Sequence, residues 1–208
     1  MKEAVAKRNS QQTRAKILAA VGDLLAQSGF RDIGVNSIAR QAGVDKVLIY
    51  RYFGGLPELL KAFAEESGFW PGNEELSAEL TAEAAAADAS GHARQLLLAF
   101  GRALRKRQLT QEIMRWELLE RNELTDALAR HREDQGNQLI GPLEVPGGPD
   151  IRAIGSILSA GQTYLILRAK TADVYNGLDL TSEEGWARIE RAISFLVDSA
   201  LSAPGNQP

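Results

Sequence analysis

The 208 residues carry 24 Lys and Arg against 27 Asp and Glu, with 44% hydrophobic and 25% charged residues. This balance excludes the disordered, collagen-like and membrane-embedded classes. The chain has no cysteine, which removes disulfides, thiolate metal ligands and a thiol nucleophile. The net charge of -3 hides an asymmetry: ten bases and five acids fall within residues 1–61, a surplus of +5 that leaves -8 on the remainder. A basic head on an acidic body fits an end that faces a polyanion and a body that repels it. The opening MKEAVAKRNSQQTRAK lacks the apolar core of a secretory signal, and no later segment supplies about 20 apolar residues in a row, so a cytoplasmic protein with no membrane partner is expected.

Thr13 to Ser28 reads as a helix, because Ile17, Leu18, Val21, Leu24 and Leu25 recur at three- and four-residue spacing; Gly29 ends it. Val35, Ile38, Ala39 and Ala42 give about two turns, stopped by Gly43. Asp45 is then placed to cap a third helix with Leu48, Ile49 and Tyr52 inward, closed by Gly54-Gly55. Pro57 suits the first turn of a fourth, whose stripe is Leu59, Leu60, Phe63 and Ala64. The break SGFWPGN, Ser67 to Asn73, divides a head of residues 1–66 from a body of residues 67–208.

The body also reads as helices: Glu74 to Ala89, His92 to Arg107, and Leu109 to Leu139 split near Asn122. The loop GPLEVPGGP, Gly141 to Pro149, precedes two long helices, Asp150 to Lys170 and Thr181 to Leu201, the second opening with a capping box between Thr181 and Glu184. About nine helices and no strands make an all-α fold.

Residues 35–54 carry the functional signal. Two short helices cross steeply over a three- or four-residue turn only if the contact residue is small, the turn is permissive and apolar side chains fill the wedge. Ala39, Gly43, and Ile38 with Val44 and Ile49 meet these requirements, which defines a helix-turn-helix. Its second helix leaves Lys46, Val47, Tyr50 and Arg51 outward, a set that offers a cation to a guanine edge or phosphate, an apolar group to a thymine methyl and a phenol to a phosphate oxygen of double-stranded DNA. Arg8, Arg14 and Lys16 add cations at the first helix, for phosphate contacts or a minor-groove arm.

The run from Thr13 to Phe63 resembles the DNA-binding head of the tetracycline-repressor (TetR) family. The ordered matches are the first apolar stripe, Gly29-Phe30, Ile38-Ala39, Ala42-Gly43-Val44, Ile49-Tyr50, Tyr52-Phe53 and Glu58-Leu59-Leu60. The resemblance implies an all-helical homodimer whose heads read a pseudo-palindromic operator and repress transcription until a small-molecule effector enters the body. By motif position, Asn36 and Ser37 reach DNA with Lys46, Val47, Tyr50 and Tyr52. Two departures stand out: Gly34 occupies a position where the family often has a capping Thr, and Leu56 one where it often has Lys, with Lys61 as a substitute cation.

In the body, the helix Asp150 to Lys170 mixes apolar residues with Gly155, Ser156, Ser159, Ala160 and Gly161, and the last helix carries apolar residues on more than one side. Each is expected to pack on the body with one face and on a second copy with another, so Ile154, Leu158, Gly161, Leu165, Ile189, Ile193 and Leu196 are candidate dimer residues. Phe100, Met114, Trp116, Glu117, Gln162 and Tyr164, large apolar groups with a few polar ones, are candidate effector contacts. His92 and His131 are isolated, so neither a metal nor another cofactor is expected. No phosphate loop, nucleophile elbow or HExxH pair supports an enzyme. Transcriptional activation and a helix-bundle adaptor that binds protein are the alternative functions.

Overall fold

The computed structural model describes residues 2–66, 68–79, 89–119, 121–144 and 147–202, with the side chains of all but residues 2–8, 89 and 202. The described residues form ten α-helices and one two-stranded hairpin, an all-α fold. Two compact units account for the chain: Met1–Trp70 with Gln108–Arg132, and Pro71–Arg107 with Glu133–Pro208.

The first unit holds α1 (Lys2–Ser28), α2 (Val35–Ala42), α3 (Val47–Phe53), α4 (Leu56–Glu66), α7 (Gln108–Glu117) and the first part of α8 (Glu123–Ile140). The stripe read from the sequence is its centre: Ile17, Val21 and Leu25 of α1 are fully buried with Ile38, Ile49, Leu59 and Phe63. Ile113, Leu124 and Leu128, from well beyond residue 66, complete the same core. Helix α1 begins eleven residues before the expected Thr13, whose Oγ1 donates to the Asn9 carbonyl at 2.9 Å instead of capping a terminus. That extension has no apolar stripe, so periodicity does not mark it. Asn122 starts α8 by accepting from the Leu124 and Thr125 amides at 3.0 and 3.1 Å, while Thr125 Oγ1 accepts from the Asn122 amide at 2.8 Å. This reciprocal cap sits where the split was expected.

The second unit holds α5 (Asn73–Ala78), α6 (Ala89–Lys106), the remainder of α8, α9 (Ile151–Arg168) and α10 (Glu183–Ser202). Of the alanine-rich helix expected over residues 74–89, α5 covers the start, and residues 80–88 lie outside the described residues, as do 145 and 146 of the expected loop. Helix α6 packs along both α9 and α10. Leu96, Ala99, Ala103 and Leu104 of α6 form the core with Ile166 of α9 and Trp186, Ile189, Ile193 and Val197 of α10. Around it, Arg94 bonds Asp198 at 2.7 Å, Arg102 bonds Glu190 at 2.6 Å, and Arg105 bonds Glu183 at 2.6 Å with its guanidinium 4.5 Å from the Trp186 ring. The basic run 102–107 thus binds mainly carboxylates of α10, with Arg107 paired to Glu75 and donating to the Ala103 carbonyl.

Two local features differ from the expectation. Val174–Tyr175 (β1) pairs antiparallel with Leu178–Asp179 (β2), Tyr175 facing Leu178. Asn176 and Gly177 both have positive φ, 48° and 76°, the backbone of a two-residue turn that matches strand twist. Helix α10 is capped by Ser182, whose Oγ accepts from the Gly185 amide at 3.1 Å, and not by Thr181. Asp179 Oδ1 accepts from both the amide and the hydroxyl of Thr181, at 2.8 and 2.6 Å, so Thr181 is tied to the hairpin.

Candidate nucleic-acid interface

The turn between α2 and α3 is built by hydrogen bonds around a glycine in the left-handed conformation. Gly43 has φ +65°, its amide donates to the Arg40 carbonyl at 3.2 Å, and the Val44 amide donates to the Ala39 carbonyl at 3.0 Å. This closes α2 with a left-handed residue at the first position past its end. Asp45 then opens the next helix: its Oδ1 accepts from the Val47 amide at 2.8 Å and its carbonyl from the Leu48 amide at 3.0 Å, the cap expected from the sequence. Asp45→Ala is expected to lower stability by about 1 kcal/mol, the usual loss for an N-cap carboxylate, read as a fall in the urea midpoint.

Burial divides α3 by face. Ile49 is fully buried, and Leu48, Tyr52 and Phe53 are half-buried against the same core. Val47 and Tyr50 are 62% and 54% exposed, and Lys46 and Arg51 are exposed beside them. Positions 46, 47, 50 and 51 recur at helical spacing and so share one side of the rod. Neither Lys46 nor Arg51 has an ion pair among the described residues. The arrangement is a short helix fixed by its apolar back, with two cations, a phenol and an isopropyl group presented to solvent.

Asn36 is exposed near the start of α2, whereas the Ser37 hydroxyl is turned to its own backbone, 2.5 Å from the Asp32 carbonyl and 2.9 Å from that of Gly34. No side chain caps α2 at Gly34, as its sequence departure implies. Tyr52 lies three residues past Ile49 and packs on the core with only part of its surface open. Lys61 is exposed on α4, 4.0 Å from Glu65. Lys16 is exposed, but Arg14 is engaged inside the head: it forms a two-point pair with Glu66, 2.7 Å for the Nη2 to Oε1 bond, and lies 4.7 Å from the Phe53 ring centre. The Arg14 hydrogen bond holds the Glu66 carboxyl below its ordinary pKa. The side chain of Arg8 lies outside the described ones. Arg31 and Arg40, absent from the sequence candidates, are exposed in the same head; only the basic surplus of residues 1–61 signalled them.

The six candidate effector residues do not fall in one unit. Met114, Trp116 and Glu117 belong to the first, where the Trp116 indole lies over Gly29 and Glu117 bonds Arg132 at 2.8 Å. Phe100, Gln162 and Tyr164 belong to the second, with Gln162 buried, Phe100 half-buried and Tyr164 exposed with its ring edge-on to Tyr175 at 5.5 Å. Of the candidate dimer residues, Ile189 and Ile193 lie in the core of their own unit; Ile154, Leu158 and Leu165 are half-buried, and Gly161 and Leu196 are exposed. Ile157 and Phe195, each at least 70% exposed, are the larger apolar groups that the stripes did not single out.

A capped two-helix turn with a buried apolar wedge and a polar outer face defines a helix-turn-helix protein. Residues 17–63 match the family model described as bacterial regulatory proteins, tetR family. The chain has the fold of a TetR-family transcription regulator, with that family's helix-turn-helix head at its N-terminus. Similar solved structures include NalD of Pseudomonas aeruginosa, the secondary repressor of the MexAB-OprM multidrug efflux pump, at a TM-score of 0.64 and 18% identity over 93% of this chain and 98% of that one. The fatty acid degradation regulator FadR of Bacillus halodurans gives 0.61 and 17% over 91% and 96%. A TetR-like transcriptional regulator of a Rhodococcus species gives 0.60 and 15% over 92% and 96%. Comparison with curated proteins found no match. Among the described residues, no helix is long and apolar enough to cross a membrane, and no group of His, Asp and Glu is arranged to hold a metal ion.

Proposed function

We propose that this chain is a cytoplasmic, ligand-responsive transcriptional repressor that binds a pseudo-palindromic operator as a homodimer and leaves it when a small molecule binds the body. The observation that carries the reading is the division of α3: Ile49 anchors it, while Lys46, Val47, Tyr50 and Arg51 stand together in solvent. That set suits a major groove, where cations meet phosphates and guanine edges and smaller groups meet thymine methyls. Two such helices read one operator when their centres lie about 34–36 Å apart, one turn of B-DNA. An effector that binds more tightly to a differently spaced dimer weakens operator binding by that difference in affinity. The exposed Ile157, Gly161, Phe195 and Leu196 of α9 and α10 support a second copy as the partner of those helices.

Selection of bound duplexes from a random pool tests the reading, with a two-fold-symmetric consensus as the expected product. On that duplex Tyr50→Ala is expected to weaken binding about tenfold, the scale of one specific contact, with the melting temperature unchanged because Tyr50 is exposed. Binding by the variant as tight as that of the parent would remove α3 from the interface.

A further inference from the structure

Leu158, Gln162, Leu165 and Ile166 follow one another at helical spacing along α9. Ile166 and Gln162 are 3% and 5% exposed, so an amide stands where the pattern calls for a hydrocarbon. Within the second unit it is the only buried polar side chain among the described residues. Its seat is specific. A Cβ built on Gly101 of α6 falls 1.6 Å from Gln162 Nε2, so the amide occupies space that only a glycine leaves free. Gln162 Oε1 is buried with no hydrogen-bond partner. Asn73 Oδ1 is likewise unpaired, but its half-buried side chain already donates from Nδ2 to Gln138 at 2.8 Å.

A buried acceptor without a donor is unfavourable, and an aliphatic residue in its place avoids the penalty. The described interior of this unit holds no charged side chain: Arg94, Arg102 and Arg105 are all paired with carboxylates around it. An anionic effector therefore finds no buried cation there, and a cationic one no buried carboxylate. We propose that the effector is an uncharged, largely apolar molecule with one hydroxyl or N–H group, which donates a hydrogen bond to Gln162 Oε1. This rests on the ligand-responsive reading above and assigns the chemistry of its ligand.

The test is calorimetric titration of the full chain with three probes of one shape: para-pentylphenol, its methyl ether and para-pentylbenzoate. The phenol is expected to bind about tenfold more tightly than the ether, the value of one buried hydrogen bond, and the benzoate no more tightly than the ether. Gln162→Leu is expected to bring the phenol-to-ether ratio to about one. Gly101→Ala displaces the amide without removing it and is expected to reduce the same ratio, so it decides the matter if Gln162→Leu does not melt cooperatively. Equal binding of phenol and ether by the parent, tightest binding of the benzoate, a ratio unchanged in the variants, or no binding of any probe overturns the proposal. The operator selection is independent of these titrations. A missing consensus sinks the regulatory reading even where Gln162-dependent binding is found, and binding indifferent to Gln162 sinks this assignment alone.

Discussion

Gly29→Ala is expected to destabilise the first unit by about 2–5 kcal/mol, whereas Gly43→Ala loses only about 1–2. Both glycines have φ +65°, so both substitutions incur the left-handed backbone penalty. Their surroundings differ. A Cβ on Gly43 meets nothing within 4 Å, while one on Gly29 falls 2.5 Å from Cδ2 and 2.6 Å from Cε2 of Trp116. The half-buried indole of α7, packed against the core, must therefore shift, which adds an overpacking cost of about 1–3 kcal/mol. Urea unfolding of the two variants gives the comparison. In a Trp116→Ala background the Gly29 substitution should fall back to the backbone penalty alone, a coupling measured by the double-mutant cycle. Equal losses for the two glycines, or no coupling to Trp116, would mean that α7 does not rest on the end of α1.

The helix-turn-helix was legible because its constraints are local. Ala39, Gly43, Asp45 and Ile49 each act within a few residues of their own position, through a left-handed cap, a hydrogen bond from a backbone amide to a carboxylate and inward side chains. Expectations weakened where a side chain's partner is distant in sequence. Trp116 and Glu117 read as effector contacts because a large ring and a carboxylate suit a pocket; nothing near them announces Gly29, 87 residues earlier, or Arg132 on the next helix. Arg14 read as a phosphate-binding cation, and its partner Glu66 lies 52 positions away. The stripe of α10 marks apolar residues without saying whether this chain or a second copy covers them: Ile189 and Ile193 are buried within their own unit, and Leu196 is exposed. The Asn176-Gly177 turn is a local signal, but its strands are two residues each, too short for any alternation to show.

Arg132→Met is expected to cost the first unit about 3 kcal/mol at neutral pH, and much less in mild acid. The Glu117 and Arg132 side chains are 10% and 21% exposed and 2.8 Å apart, and the guanidinium also lies 5.5 Å from the Trp70 ring. Removal of the cation strands a carboxylate in the core, and for such pairs the loss is several kcal/mol. Burial raises the Glu117 pKa above its ordinary value, and this outweighs the hydrogen bond and charge of Arg132, which lower it. The folded protein therefore holds this proton more tightly than the unfolded chain does. The stability contributed by Glu117 is highest in acid and declines as pH rises from the ordinary carboxylate range through the folded pKa. Without Arg132 the folded pKa rises further, so the decline extends to higher pH and becomes larger. Urea midpoints of parent and variant at about pH 5 and about pH 8 should show a gap that widens with pH, and Glu117→Gln in the variant should abolish the widening. A gap that is the same at both pH values would assign the effect of Arg132 to its stacking on Trp70 and not to the carboxylate it neutralises.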